Sequence, residues 1–236
     1  NSRIRFDARN GKLQLKQFDV RLYGGSLALN AELDSKANPA QLRLAATTKQ
    51  LPLHQLLKTL GSESPVQGKL QLDSQLTTSG NSQRQWVAGL TGHTEFSLLD
   101  GTLPDSNLEQ QLCMAIATLN RKQPSNLPGR RSPAFSRLQG NNTISRGIAH
   151  SNDLDIALAG LHINGTGDLD INLMALDYRL GIAIKGDIRP MPDPACTVNP
   201  RYNNLEWPLR CRGPLANASQ SCRVDRDGLG RVASQL

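Results

Sequence analysis

Four cysteines are the residues of this chain with the most obvious chemistry. They stand at Cys113, Cys196, Cys211 and Cys222, and no two of them have the Cys-x-x-Cys spacing of a zinc knuckle or a thioredoxin-type site. An even number with three near the C-terminus is typical of two disulfides in an oxidising compartment. Four buried thiols in a cytosolic protein are the alternative. Of the three possible connectivities we favour Cys196–Cys211, which closes a Pro-rich excursion, and Cys113–Cys222, which ties the tail to a helix.

The histidines and the paired aspartates do not form a recognisable catalytic or metal site. None of His54, His93, His150 and His162 has the spacing of a metal-binding pair. The pairs Asp153/Asp155 and Asp168/Asp170 each share one face of a predicted strand and could bind calcium. An ordinary solvated face of a one-sided sheet is the favoured interpretation. We therefore expect no catalytic residue, no metal and no cofactor, in a protein that is not an enzyme.

One stretch of the chain is strongly basic. The formal net charge is +7. No Asp or Glu occurs between Gln110 and Asn152, whereas six Lys and Arg residues do: Arg121, Lys122, Arg130, Arg131, Arg137 and Arg146. Nucleic acid is not an expected partner, because only Phe135 could supply a stacking ring within this stretch. Anionic lipid headgroups match the positive charge of this stretch as well as nucleic acid does. A solvated basic loop without a ligand is the alternative. We predict Arg130, Arg131 and Arg137 as the anionic contacts.

The elements that must position these residues are mainly β-strands. Apolar residues alternate with polar ones, which is typical of half-buried strands. The clearest rows are Leu154/Ile156/Leu158, Leu169/Ile171/Leu173 and Leu180/Ile182/Ile184. Turns are predicted at Ala159-Gly160, Asn164-Gly165 and Lys185-Gly186, and Asn10-Gly11 is a strong hairpin signal. The pattern predicts roughly ten antiparallel strands linked by hairpins.

Two helices interrupt the strand pattern. They are predicted over Leu51–Leu60 and Asp105–Asn120, the second with Asp105 or Ser106 as N-cap and with Cys113 close to its apolar stripe. Shorter helices are candidates over Ser82–Leu90 and Asp227–Gln235. The longest uncharged run, Ile156–Gly167, is too short and too polar to span a bilayer. Since the chain begins without Met or a signal sequence, we expect a mature product or a piece of a longer protein.

The width of the predicted sheet raises the question of what covers its apolar face. Ten strands at about 4.8 Å spacing make an open sheet about 50 Å wide, which two short helices cannot cover. Either the sheet closes as a barrel or sandwich, or it curls into a groove that needs an apolar ligand or partner. The periodicity alone favours a sandwich with a filled core.

Four segments, in this order, resemble the C-terminal region of AsmA-type proteins of Gram-negative bacteria. They are Gly68–Ser82, Leu90–Leu103 with the helix that follows it, Ile148–Ile171, and Trp207–Gly213 with Cys222–Asp225. They cover most of residues 66–225, and their order is more specific than any single motif. On this resemblance, residues 1–50 are the end of an extended β-sheet region. Residues 51–236 are a C-terminal module with helix 105–120 and a disulfide-bearing tail.

The resemblance implies a periplasmic protein held in the inner membrane by an N-terminal segment that this chain lacks. It implies a role in outer-membrane biogenesis, with phospholipid transport between the membranes through an apolar groove. The expected fold is mainly β: a large curved antiparallel sheet, as an open groove or a flattened barrel or sandwich, with two or three short helices. Nine residues are predicted to line the apolar face: Leu70, Leu72, Phe96, Leu154, Ile156, Leu158, Leu169, Ile171 and Leu173.

The expected partner is therefore a phospholipid or another lipid with acyl chains. The alternative is a structural or chaperone-like module that assists the assembly of outer-membrane proteins. In that case an open sheet edge would pair with a strand of an outer-membrane or other envelope protein. The resemblance also supports the disulfides, because the periplasm is oxidising.

Overall fold

A computed structural model describes residues 2–59, 66–185, 193–198 and 205–233. Twelve strands form one antiparallel sheet that does not close into a barrel, and each strand pairs with its neighbours in sequence. The strands are β1 (Ser2–Arg9), β2 (Lys12–Leu22), β3 (Gly25–Asp34), β4 (Gln41–Pro52), β5 (Gln67–Ser79), β6 (Thr91–Thr102), β7 (Ala134–Ser145), β8 (Ile148–Leu158), β9 (Leu161–Asp170), β10 (Ala175–Ile184), β11 (Glu206–Pro214) and β12 (Cys222–Val224). The helices are α1 (Leu53–Thr59), α2 (Gln83–Ala88), α3 (Leu108–Leu119) and α4 (Arg226–Ala233).

Tight turns join several of the neighbouring strands. In the turn from β1 to β2, Asn10 and Gly11 have φ of 50° and 71°, as the sequence predicted. Arg146 and Gly147 have the same left-handed backbone, with φ of 50° and 74°, between β7 and β8. Two successive residues with positive φ form the turn whose twist matches a hairpin, so consecutive strands pair directly.

The predicted helices are present with shorter bounds. Helix α3 begins at Leu108 rather than at Asp105, because the backbone of Ser106 pairs with Arg131 in a β-bridge. Its N-cap is Asn107, whose side chain makes no capping bond and instead donates to the carbonyls of Gln220 and Cys222 at 3.0 and 3.1 Å. Leu51, predicted as helical, belongs to β4, which ends at Pro52. Leu60, Gly186 and residues 234–236 lie outside the described residues.

Two predictions within β9 and its turn are wrong. Asn164-Gly165 lies inside β9 and is not a turn. The glycine allows a close approach between strands, because a Cβ would lie 2.5 Å from Cδ2 of Leu180 on the neighbouring strand. The predicted strand row Leu169/Ile171/Leu173 ends at Asp170, whose carboxylate accepts the backbone N–H of Asn172 and of Leu173 and so starts a turn.

The sheet has one apolar face. Directly paired residues of antiparallel strands point to the same face, and the register links one continuous row across eight strands: Leu51, Leu70, Leu98, Leu138, Ile156, Ile163, Ile182 and Trp207. Helix α3 contributes Leu108, Leu112, Ala115 and Ile116 to the same buried cluster. The buried core therefore lies between α3 and the C-terminal strands.

All four cysteines form disulfides, but the predicted pairing is wrong. Cys113 of α3 bonds to Cys196, and Cys211 bonds to Cys222. The register places Cys211 directly opposite Cys222 on adjacent strands, so neither can reach its predicted partner. The first disulfide ties α3 to the turn Pro194–Cys196, where Asn120 also donates to the carbonyl of Ala195 at 3.1 Å.

The sheet continues through the predicted domain boundary. Residues 50 and 51 are consecutive within β4, which pairs with both β3 and β5. The division into residues 1–50 and 51–236 stays a prediction. Within the described ranges, no helix combines the length and apolarity needed to cross a bilayer.

Candidate functional site

Helix α3 packs over the C-terminal part of the apolar face. At the N-terminal end of this face, the described helices leave strands β1 to β3 uncovered. The residues that form this open apolar face are all half-buried: Leu27, Leu29, Leu44, Leu72, Leu76 and Phe96. Helix α1 packs on β4 and β5, α2 packs on β5, and α3 and α4 pack at β11 and β12. Of the described helices, none packs along β1, β2 or β3. The open apolar face thus spans several strands, and its side chains are half-buried and lie outside the core cluster.

The structure divides the nine predicted lining residues into three groups. Leu72 and Phe96 lie on the open apolar face, paired with each other across β5 and β6. Five lie on the part of the apolar face that borders the core: Leu70, Leu154, Ile156, Leu158 and Leu169. Of these, Ile156 is buried in the core cluster, and Leu70, Leu154 and Leu158 pack against that cluster. Ile171 and Leu173 are outside the strands, in the turn after β9. The residues left open to a ligand include Leu44 and Leu76, which the sequence prediction did not single out although Leu76 lies between the polar Gln75 and Thr77.

A row of polar side chains crosses this face between the apolar rows. Ser74, Thr94, Asn142 and Ser151 are paired successively from β5 to β8. The hydroxyls of Ser74 and Thr94 are 2.8 Å apart and hydrogen-bond to each other. Ser151 is fully buried and donates to Asp153 Oδ1 at 3.3 Å. The face is therefore apolar with a narrow polar band, rather than purely hydrocarbon.

Tyr178 continues this band on β10. Its register partner on β9 is Gly167, and a Cβ on Gly167 would lie 2.7 Å from Cγ of the tyrosine ring. Burial raises the pKa of Tyr178 to about 12, and the negative charges of Asp168 and Asp153 add to the shift. The phenol therefore stays protonated at neutral pH and keeps a hydrogen to donate.

The opposite face of the sheet is polar, and several of its side chains hydrogen-bond to one another. His150 lies 2.7 Å from Asp168 Oδ1 through Nδ1 and 2.7 Å from Asn152 Oδ1 through Nε2. An open depression of about 610 Å³ spans β2–β6. Its walls consist largely of two rows of the polar face, including Gln14, Glu32 and Arg43. The strand row between these two polar rows, which includes Leu44 and Leu76, also lines the depression.

The three predicted anion-binding arginines are each paired with a carboxylate of the chain. Arg130 Nη1 lies 3.2 Å from Asp105 Oδ2, and Arg131 Nε lies 3.5 Å from Glu109 Oε2. Arg137 Nη2 lies 3.6 Å from Asp155 Oδ1 on the polar face. The structure does not bring these arginines to the open apolar face. Their contact with anionic headgroups stays a prediction.

Several of the polar side chains singled out from the sequence are hydrogen-bonded within the chain. Across the described ranges, no three His, Cys, Asp or Glu side chains are grouped to hold a metal ion. Asp153, one of the predicted paired aspartates, accepts hydrogen bonds from Asn141 N at 2.8 Å and Asn141 Nδ2 at 2.6 Å. Those bonds hold the pKa of Asp153 below its ordinary value. What the arrangement offers is a wide apolar surface with a few hydrogen-bonding groups.

Comparison with known proteins identifies one family. The family model that matches is that of the AsmA family, over residues 1–183. No curated protein and no solved structure matches the chain. The matched range contains the first three of the four resembling segments, whereas Trp207–Gly213 and Cys222–Asp225 lie beyond it. Because the match covers well over half of the chain, the chain belongs to the AsmA family.

Proposed function

We propose that this chain is a non-enzymatic module of envelope biogenesis whose open apolar face binds the acyl chains of phospholipids, for transport between inner and outer membrane. The observation that carries the proposal is the set of half-buried apolar residues from Leu27 to Phe96, which begins on β3, a strand that none of the described helices packs along. An exposed apolar surface of several strands is typical of a surface that meets an apolar ligand or partner. Family membership is consistent with an envelope role.

An acyl chain fits the surface energetically. Each methylene removed from water contributes about 0.8 kcal/mol, so a chain that crosses several strands gains far more than any single contact provides. The polar band suits the same ligand, because Asn142 and the hydroxyls of Ser74 and Thr94 can meet the ester oxygens of a glycerolipid. A ligand with acyl chains and esters matches both kinds of lining.

The proposed location is the periplasm, with attachment to the inner membrane. Two disulfides support an oxidising compartment. The inner-membrane attachment rests on the family resemblance alone.

A matched pair of neighbouring substitutions tests lipid binding. Leu76 lies on the open apolar face and Thr77 on the polar face. Leu76→Asp should weaken binding of a fluorescent phospholipid analogue at least tenfold, because a carboxylate would have to lose water against the acyl chain. Thr77→Asp should change it less than twofold. Phe96→Ser is a second, uncharged variant that should also weaken binding. Equal affinity of all variants would refute the proposal.

The alternative function is strand addition to a client protein. It is favoured by one observation: β1 is the terminal strand of the described sheet and exposes Ile4 and Phe6. Cross-linking separates the two functions. Photoreactive residues at Leu72 would capture lipid if the open apolar face is the binding site, whereas residues at Phe6 would capture an envelope protein if the edge is.

A further inference from the structure

Three loops meet at one end of the sheet and hold each other in place. They are the residues after α2, the turn between β7 and β8, and the turn 171–174 between β9 and β10. Gly147 N donates to the carbonyl of Leu90 at 3.0 Å, and Ile171 N donates to the carbonyl of Gly147 at 2.9 Å. The carbonyl of Met174 in turn accepts the N–H of Leu215 at 2.7 Å. The backbone of this end is thus tied together by hydrogen bonds across four segments.

Large apolar side chains project from this end into water. Leu173 is 74 % exposed, Met174 49 % and Ile148 43 %. They lie at the same end of the sheet, since Ile148 pairs with Asp170, the residue that precedes the turn with Leu173 and Met174. Single exposed apolar residues are ordinary, but a cluster on a fixed rim is typical of an interaction surface.

The charge beside this cluster is positive. Arg146 is exposed in the β7–β8 turn. Arg84 is exposed on α2, one turn before Val87, whose carbonyl adjoins Gly147. In the described part of the chain, neither arginine has a carboxylate within ion-pair distance. The nearest acidic residue in the turn, Asp170, already accepts two N–H groups. This contrasts with Arg130, Arg131 and Arg137, each paired within the protein.

We propose that Ile148, Leu173 and Met174, flanked by Arg84 and Arg146, form a docking rim for an anionic lipid bilayer. Apolar side chains at a loop tip enter the boundary between headgroups and acyl chains, while each arginine near an anionic surface adds about 1 kcal/mol. The rim is separate from the open apolar face, since it lies where the strands end. Contact with a membrane and lipid held on the sheet can therefore be measured independently.

Vesicle flotation of the full chain tests the rim. Vesicles of 70 % phosphatidylcholine and 30 % phosphatidylglycerol are compared with phosphatidylcholine alone. We expect the protein to float with the anionic vesicles, and Leu173→Gln with Met174→Asn to reduce the bound fraction at least tenfold. Asparagine suits position 174 because Met174 has φ of 49°. Arg84→Gln with Arg146→Asn should remove the preference for anionic vesicles. Leu127→Gln, a 41 % exposed leucine outside the rim, should float normally.

A second measurement reports insertion directly. Because the four native cysteines are in disulfides, Leu173→Cys can carry a polarity-sensitive dye. Its emission should shift to the blue on anionic vesicles, and a dye at Leu127→Cys should not shift. Normal flotation of the Leu173/Met174 double variant would overturn the docking rim. A blue shift of the dye at residue 127 without one at residue 173 would also overturn it. So would a protein partner that the rim residues capture while the chain binds no vesicles. If a variant that no longer floats still carries phospholipid after purification, the rim and the open apolar face act separately, and lipid binding to the sheet is retained.

Discussion

The ring of Phe135 lies directly over Gly101, its partner across strands β6 and β7. A Cβ at position 101 would collide with Cζ of this ring and with the carbonyl oxygen of Gln67 on the other neighbouring strand. Phe135 is buried in the cluster that α3 covers. The absence of a side chain at residue 101 therefore lets the ring close the core near the start of α3.

Gly101→Ala should destabilise the fold by about 1–3 kcal/mol, the usual cost of overpacking a rigid core. The loss should appear as a lower midpoint of urea unfolding followed by circular dichroism. Gly129→Ala is the matched control, because no atom lies within 4 Å of the Cβ that it would add. A Gly101→Ala midpoint equal to that of the control would contradict the close approach of the ring.

The two disulfides should contribute unequally to stability. In the chain-entropy account, closing a longer loop removes more freedom from the unfolded chain. The separation is 83 residues for Cys113–Cys196 and 11 for Cys211–Cys222. Replacing the first pair by alanine should cost about 4.5 kcal/mol and the second about 3 kcal/mol. Denaturant unfolding of the two double variants measures the order, and the reverse order would show that packing at β12 outweighs loop closure.

Asp193 should anchor the loop after α3 in a pH-dependent way. Hydrogen bonds from the N–H of Ala195, then from Asn126 and Ser125, hold the pKa of this buried carboxyl below its ordinary value of 3.8. A lowered folded pKa stabilises the fold above the ordinary value, and this contribution disappears as the pH falls through the folded pKa. Asp193→Asn should therefore lower the Tm at pH 7.

The difference in Tm between Asp193→Asn and the unaltered protein should narrow as the pH falls below about 3.8. Glu95→Gln is the control, since Glu95 is an exposed carboxylate of β6 and its replacement should leave the Tm unchanged. A Tm difference that does not vary with pH would assign the effect to packing instead of charge.

Asp168 should set the titration of His150. The hydrogen bond to Asp168, and then the one to Asn152, raises the pKa of His150 above 6.5. A raised pKa means that the pair stabilises the fold below pH 6.5 and that this contribution is lost as the pH rises through the folded pKa. In Asp168→Asn the NMR titration midpoint of His150 should fall. Asp73→Asn, on a distant strand, should leave it unchanged, and an unmoved midpoint in Asp168→Asn would contradict the assignment.

The strand pattern and the main helix could be predicted because they depend on local sequence. Asn10-Gly11 has the residue types that a tight hairpin requires, and the apolar stripe from Leu108 to Ile116 has helical spacing. Gly165 misled the prediction, since glycine serves either a turn or a close approach between strands. Only the position of Leu180 on the next strand decides between them.

The disulfide pairing and the extent of the open face could not be predicted in the same way. Pairing depends on which strands are neighbours, and the three residues of β12 are too few to show an alternating pattern that would place Cys222 opposite Cys211. Ile156 and Leu72 have the same alternating pattern in the sequence. One is buried in the core with α3 and the other is half-buried on the open apolar face, because helix packing is not local.

Binding of acyl chains to the open apolar face is tested most directly by mass-spectrometric lipid extraction of the purified full chain, with phospholipid counted per protein molecule after extensive washing. We predict about one or more phospholipids per chain, and a clear loss in Leu76→Asp but not in Thr77→Asp. A protein free of phospholipid, or one whose lipid content is the same in both variants, would contradict the claim.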